Sequence, residues 1–247
     1  MNDRKEFDRG VAIAINWIKK RGGELFRQCV IDKRLEILLK NKKKEQVCVP
    51  YVLSFTTEKD SMPQWMAYTD SHSGGMAIGL DFKELERAIG DFDKEPLHGN
   101  HVSEVLFAPC IYCSEDDAVD RYEAILERIF SGCEYAWNSK LQDEFVNWCA
   151  AKVFQFAALV KSEAFRFEKE WRLVIRPRDK DYALGVKFIG GKPRLLPPEL
   201  KLKGAIKTLE VSPHGNRDRI EIAAKLLSMK CGNRIKVKKS MLSYCGN

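Results

Sequence analysis

The chain has no apolar run approaching the roughly 20 residues that a bilayer-spanning helix needs; its longest such stretches, 153–160 among them, are far shorter. A soluble protein without a membrane partner is the expectation. Its start, Met1, Asn2, Asp3, Arg4, Lys5 and Glu6, is charged, and no apolar segment with a cleavage site follows. That pattern argues against a secretory leader and for a cytoplasmic location. Zinc-finger, Walker and dinucleotide-binding fingerprints are all missing, as are sequence repeats and low-complexity linkers. With 247 residues, 45% of them apolar, the chain can fill a substantial core, and a single domain spanning 1–247 is expected.

The eight cysteines are scattered through a chain too large to need stapling, which fits a reducing compartment. Cys110 and Cys113 have CxxC spacing, yet they lie in an apolar run, 105–112, and no second pair supplies the remaining ligands of a tetrahedral site. They read as buried small side chains, and no metal is expected. The net charge of +7 comes largely from two clusters, 40–44 and 230–239, which suit either a solvated face or a nucleic-acid contact.

Apolar spacing predicts two helices between Phe7 and Leu39, broken at Gly22 and Gly23. A buried strand, 48–55, ends at Ser54 and Phe55. Pro63 then opens a short helix carrying Gln64, Trp65, Met66, Ala67 and Tyr68, capped by Asp60 or Ser61. A turn over 70–75 leads into a strand over 76–82. Further strands are expected at 105–112, 167–175, 186–189, 206–211 and 234–238, and helices at 118–130, 141–156 and 217–229. Unequal helices between strands suggest an α+β fold with a mixed, mainly antiparallel sheet and packed helices.

Two segments collect groups capable of chemistry. In the first, Trp65 and Tyr68 stand three apart, one helical face, so they either pack the helix onto a sheet or form an aromatic wall for a planar ligand. Ser54 adds a hydroxyl at a strand end, His72 an imidazole in the following turn, and Gly74 and Gly75 a tight turn or a close approach to phosphate. In the second, Glu168 and Glu170 alternate with Lys169, so a strand would point both carboxylates to one face, with Arg172 continuing the row. Like charges so placed raise one pKa unless a cation relieves them. The row is either a solvated or ion-paired edge or a site in which Glu170 orients a ribose hydroxyl or acts as a base, while Arg172 fixes an anion or holds the glutamate.

These residues, taken in order, resemble the domain of unknown function DUF2971. The resemblance rests on Asn2, Asp3 and Glu6 in an NDxxE arrangement; Val52, Leu53, Ser54 and Phe55; Gln64 to Tyr68; and His72 to Gly75 followed by Ala77, Ile78 and Gly79. It continues through Lys161, Phe165, Glu168, Glu170, Trp171 and Arg172 to 206–211 and 237–244. Members of that family begin with a further segment holding a His-Tyr-Thr-like strand, and proline is common where this chain has Arg4, so a shortened start is expected. The general plan is similar to that of ADP-ribosyltransferases. It implies NAD as substrate, Glu170 as the glutamate that orients the ribose, with Arg172 and Tyr68 beside it, and Ser54, Trp65, His72 and Glu168 around the bound dinucleotide. The implied role is transfer of ADP-ribose to a macromolecular target in a bacterial stress, toxin or defence system; the alternative is a non-catalytic module that binds a ligand or nucleic acid.

Overall fold

The computed structural model describes residues 4–21, 50–94, 102–114, 122–130, 142–177, 186–189, 192–195, 201–202, 204–231 and 235–242. Its first elements are helix α1 (Arg4–Arg21), strand β1 (Tyr51–Thr56), α2 (Met62–Tyr68), β2 (Met76–Leu80), α3 (Phe82–Lys94), β3 (Val102–Pro109) and β4 (Ile111–Cys113). These are followed by α4 (Glu123–Phe130), α5 (Gln142–Ala157), β5 (Val160–Ser162), a 3-10 turn (Glu163–Glu168) and β6 (Glu170–Pro177). The remainder comprises β7 (Val186–Ile189), β8 (Lys192–Leu195), β9 (Ile206–Val211), α6 (Arg217–Lys230) and β10 (Lys236–Lys239). The chain is α+β, with the strands distributed among several small sheets and pairing mostly antiparallel. Its backbone contacts group into two compact units, Met1–Thr56 with Pro96–Pro198, and Thr57–Glu95 with Glu199–Asn247. The helix expected around 25–38 and the basic stretch 40–44 lie outside the described residues.

In the first unit β6 runs between β1 and β3, antiparallel to both. The alternation read from the sequence is present: Val52, Leu106, Ala108 and Val174 face the helical core, where α5 packs with α1 and α4. Helix α5 is apolar almost all round because its C-terminal half is enclosed, with Cys149, Val153, Phe156 and Ala157 completely buried. The strand expected to run from 105 to 112 is broken at Cys110. There the backbone changes partner: Cys110 N–H donates to Glu170 O and Ile111 N–H to Leu159 O, each at 2.8 Å. Beyond the break β4 pairs in parallel with β5. No residue of β1 is buried, and Leu53 and Ser54, which point to opposite faces, are both exposed, which corrects the expectation of a buried strand.

The second unit is built on the order β10-β9-β2, β9 and β10 being parallel and joined through α6. Leu209, Ala224 and Ile235 form its small core. Helix α3 was not anticipated. The apolar run through Phe82 reads as strand, but Asp81 accepts the Glu84 N–H at 3.0 Å and starts a helix that buries Leu85, Ile89 and Phe92 on one face.

Candidate functional site

The chemistry-bearing groups of the first unit gather where the 3-10 turn meets β6. Lys169 takes left-handed dihedrals, φ 42° and ψ 50°, so the chain enters β6 only at Glu170, not at Phe167 as the sequence suggested. Glu168 and Glu170 nevertheless reach the same cation. The Lys161 Nζ, on β5, donates to Glu168 Oε2 and Glu170 Oε2, each at 2.5 Å. Arg172 Nε donates to Glu170 Oε1 at 2.8 Å, and its Nη1 donates to Ala158 O at 2.6 Å. These four side chains are at most 9% exposed as residues, and together they are charge-neutral. Neutrality is what permits the burial, because an unpaired ion in the same place would cost several kcal/mol.

Neighbouring elements complete the cluster. The Tyr112 hydroxyl accepts the Glu170 N–H at 2.7 Å, and the Thr56 hydroxyl donates to Glu168 O at 2.6 Å. Ser54, opposite Arg172 in the β1–β6 register, is near enough to the Glu170 carboxylate to help hold its pKa down. Glu6 of α1 accepts the Ser162 N–H at 2.8 Å and adds negative potential at Arg172. On the outer side lie the exposed rings of Phe165 and Phe167, with the Lys161 Nζ 5.2 Å from the Phe165 ring centre and the Arg166 guanidinium 5.4 Å from that of Tyr112.

Burial alone would push the Glu170 carboxyl up, but hydrogen bonds from Arg172, Lys161 and Ser54 outweigh it and bring it down to about 2. Lys161 is the mirror case: burial disfavours its charge, and its bonds to Glu168 and Glu170 raise its pKa above the usual lysine value. Burial pushes the Cys110 thiol up to about 12, which favours the protonated form at neutral pH. The depressed Glu170 value sets a pH dependence. Its contribution to stability is fully present above the usual carboxyl range and is lost as pH falls from about 4.5 towards about 2. The full contribution is on the order of 3 kcal/mol. Urea unfolding measured across that window should show this loss in the wild type and a flatter curve in Glu170→Gln; parallel curves would place the acid sensitivity elsewhere.

Of the residues singled out from sequence, Ser54, Glu168, Glu170 and Arg172 come together in the first unit, while Trp65, Tyr68 and His72 belong to the second. The aromatic wall divides. Trp65 is 5% exposed and donates its indole N–H to Asp60 Oδ1 at 2.9 Å, whereas Tyr68, in the last position of α2, is 67% exposed. Residues three apart differ by about 60° around a helix, enough at a helix end to turn one ring inward and the other out. His72 sits in an exposed turn whose backbone N–H donates to Asp70 Oδ1 at 2.9 Å. Lys161 was missed as the partner of both glutamates, although a single lysine closing the apolar run 153–160 demands a counter-ion. Among the described residues, no group of three or more His, Cys, Asp or Glu is arranged to hold a metal, and no helix is long and apolar enough to cross a membrane.

The fold and the cluster define an α+β protein organised, in one of its units, around a buried set of two carboxylates and two cations. Residues 64–173 match the family model of DUF2971, described as a protein of unknown function. The matched stretch takes in Tyr112, Lys161, Glu168, Glu170 and Arg172 and leaves Glu6 and Ser54 outside it. No curated protein and no solved structure matches the chain.

Proposed function

We propose that the chain is an ADP-ribosyltransferase-like protein of a bacterial stress, toxin or defence system that takes NAD as substrate, with Glu170 as its ribose-orienting carboxylate. The observation that carries this reading is the Glu170 carboxylate held by Lys161 and Arg172, with the exposed Ser54 opposite Arg172 on the neighbouring strand. Cleavage of the glycosidic bond leaves the electron pair on nicotinamide and develops positive charge on the ribose. A fixed carboxylate stabilises that charge and accepts from a ribose hydroxyl. The exposed rings of Phe165 and Phe167 offer a planar ligand a surface within the same unit. Arg172 donates to Glu170 and to the Ala158 carbonyl, which suits support of the glutamate better than contact with a phosphate.

Nicotinamide release from NAD by the full chain is the direct test. Glu170→Gln is expected to lower it by about 100-fold or more per folded molecule. Circular dichroism must accompany the assay because this glutamate also belongs to a buried ion-pair cluster. A variant as active as the wild type, or a wild type that releases no nicotinamide, rejects the reading.

The closure of the cluster favours a second reading, a non-catalytic ligand- or nucleic-acid-binding module. Both Glu170 oxygens already accept from the chain's own cations, at 2.5 and 2.8 Å. The net charge of +7 would then be the relevant feature, and retention of single-stranded DNA on filters should fall steeply with salt. Flat, negligible retention removes the nucleic-acid version.

A further inference from the structure

We propose that Lys161 is a positioning residue: gripped by Glu168, its ammonium fixes the Glu170 carboxylate in the orientation that ADP-ribosyl transfer requires. This rests on the transferase reading above. The geometry carries it. Lys161 belongs to β5, whose parallel pairing sets it opposite Tyr112, and two of its three N–H donors go to Glu168 Oε2 and Glu170 Oε2. Glu170 Oε1 is held independently by Arg172 Nε. The carboxylate is therefore gripped at both oxygens from two different strands, and its plane cannot turn. Without Lys161, Oε2 is left with the long 3.4 Å bond from Arg172 Nη2 in place of the short ammonium contact. Glu168 would then become a second buried carboxylate near Glu170, without the ammonium that both now share. Glu168 acts on Glu170 through the lysine, so its role becomes anchoring Lys161 in place of contact with the dinucleotide.

A purely structural lysine would serve only to keep the cluster neutral, and the two roles predict opposite results for one double variant. Lys161→Met alone removes one cation and leaves the burial of two carboxylates poorly compensated, so a loss of folding is expected of it. Lys161→Met combined with Glu168→Gln removes one charge of each sign, leaving the Glu170–Arg172 pair intact and the cluster neutral. Under the positioning role the double variant folds but loses kcat for nicotinamide release by about 100-fold, with KM for NAD little changed. Lys161→Arg, which restores a donor to Glu170, recovers a large part of that loss. Under a structural role the double variant regains wild-type kcat once folded, and that result overturns the proposal.

A second readout does not depend on turnover. The carboxyl groups facing this lysine are Glu168 and Glu170, and the other titratable groups around it are Glu6, Cys110, Tyr112 and Arg172. Carbon-13 titration of Glu170 should therefore move to higher pH by at least about one unit in the double variant. An unshifted titration overturns the proposal. A wild-type chain that releases no nicotinamide overturns the transferase reading by itself, and the hold of Lys161 on Glu170 then stands or falls on the titration.

Discussion

Arg172→Met is expected to destabilise the protein by about 3–5 kcal/mol, the range found when one partner of a buried ion pair is removed. Methionine fills a similar volume, so the loss reports charge and hydrogen bonding more than a cavity. Among the described residues, Glu170 would then keep Lys161 as its remaining cation, shared with Glu168. The carbonyl of Ala158 would lose the donor that Arg172 Nη1 places at 2.6 Å. Arg172→Lys keeps the charge but not the fork that reaches Glu170 and Ala158 together, and should restore only part of the stability. Urea denaturation at neutral pH measures both variants. A loss below about 1 kcal/mol for Arg172→Met would mean that the pair behaves as a solvated surface contact. Buried ions are a costly way to join strands, since well-packed apolar side chains often do as well or better. That cost is a physical ground for treating the cluster as a site rather than as reinforcement.

The parts of this cluster were unequally legible in the sequence. Alternation along β6 placed Glu170, Arg172 and Val174 on one face, because a half-buried strand imposes a period of two on its side chains. Glu168 entered the same group for the wrong reason: it lies in the 3-10 turn and is brought back by the left-handed Lys169, a backbone state that periodicity does not encode. Lys161 and Glu6 entered only as members of the DUF2971-like pattern, with no partner assigned to either. What pairs them with β6 is tertiary: α1 and β5 converge on residues far along the chain, and a lone lysine names no partner. The same limit applies to α3, where the cap at Asp81 decided against strand in a run whose apolar content suited either. The division into two units left no linker to find, since each unit is assembled from two separate stretches of chain. Trp65 and Tyr68 show the converse error, in which correct helical spacing was taken for a shared environment that the end of α2 does not provide.

Gly215→Ala should cost about 3–5 kcal/mol, although it adds one methyl group to an exposed loop position. Gly215 has φ +77°. A non-glycine residue there loses about 1–2 kcal/mol before any contact is considered. The added Cβ would also lie 2.3 Å from Gly74 N, 2.6 Å from Gly74 Cα and 2.7 Å from Ser73 C. All three are backbone atoms, so no side chain can swing aside and the turns must separate. Separation breaks the fastening between them: Ser212 N–H donates to Gly75 O, Gly75 N–H donates to Ser212 Oγ, each at 3.0 Å, and Thr69 Oγ1 lies 2.7 Å from His214 Nε2. Each net hydrogen bond is worth about 1 kcal/mol, which brings the sum to the stated range. Gly90 supplies the control, for a Cβ there meets nothing within 4 Å and the residue lies inside α3. Gly90→Ala should therefore stabilise by about 0.5–1 kcal/mol, the helix-propensity gain of alanine over glycine. Urea midpoints on both sides of the wild type, with faster hydrogen exchange of the Gly75 amide in Gly215→Ala alone, would tie the cost to the interlocked turns. Equal small shifts in both variants would show that the loop opens at little cost.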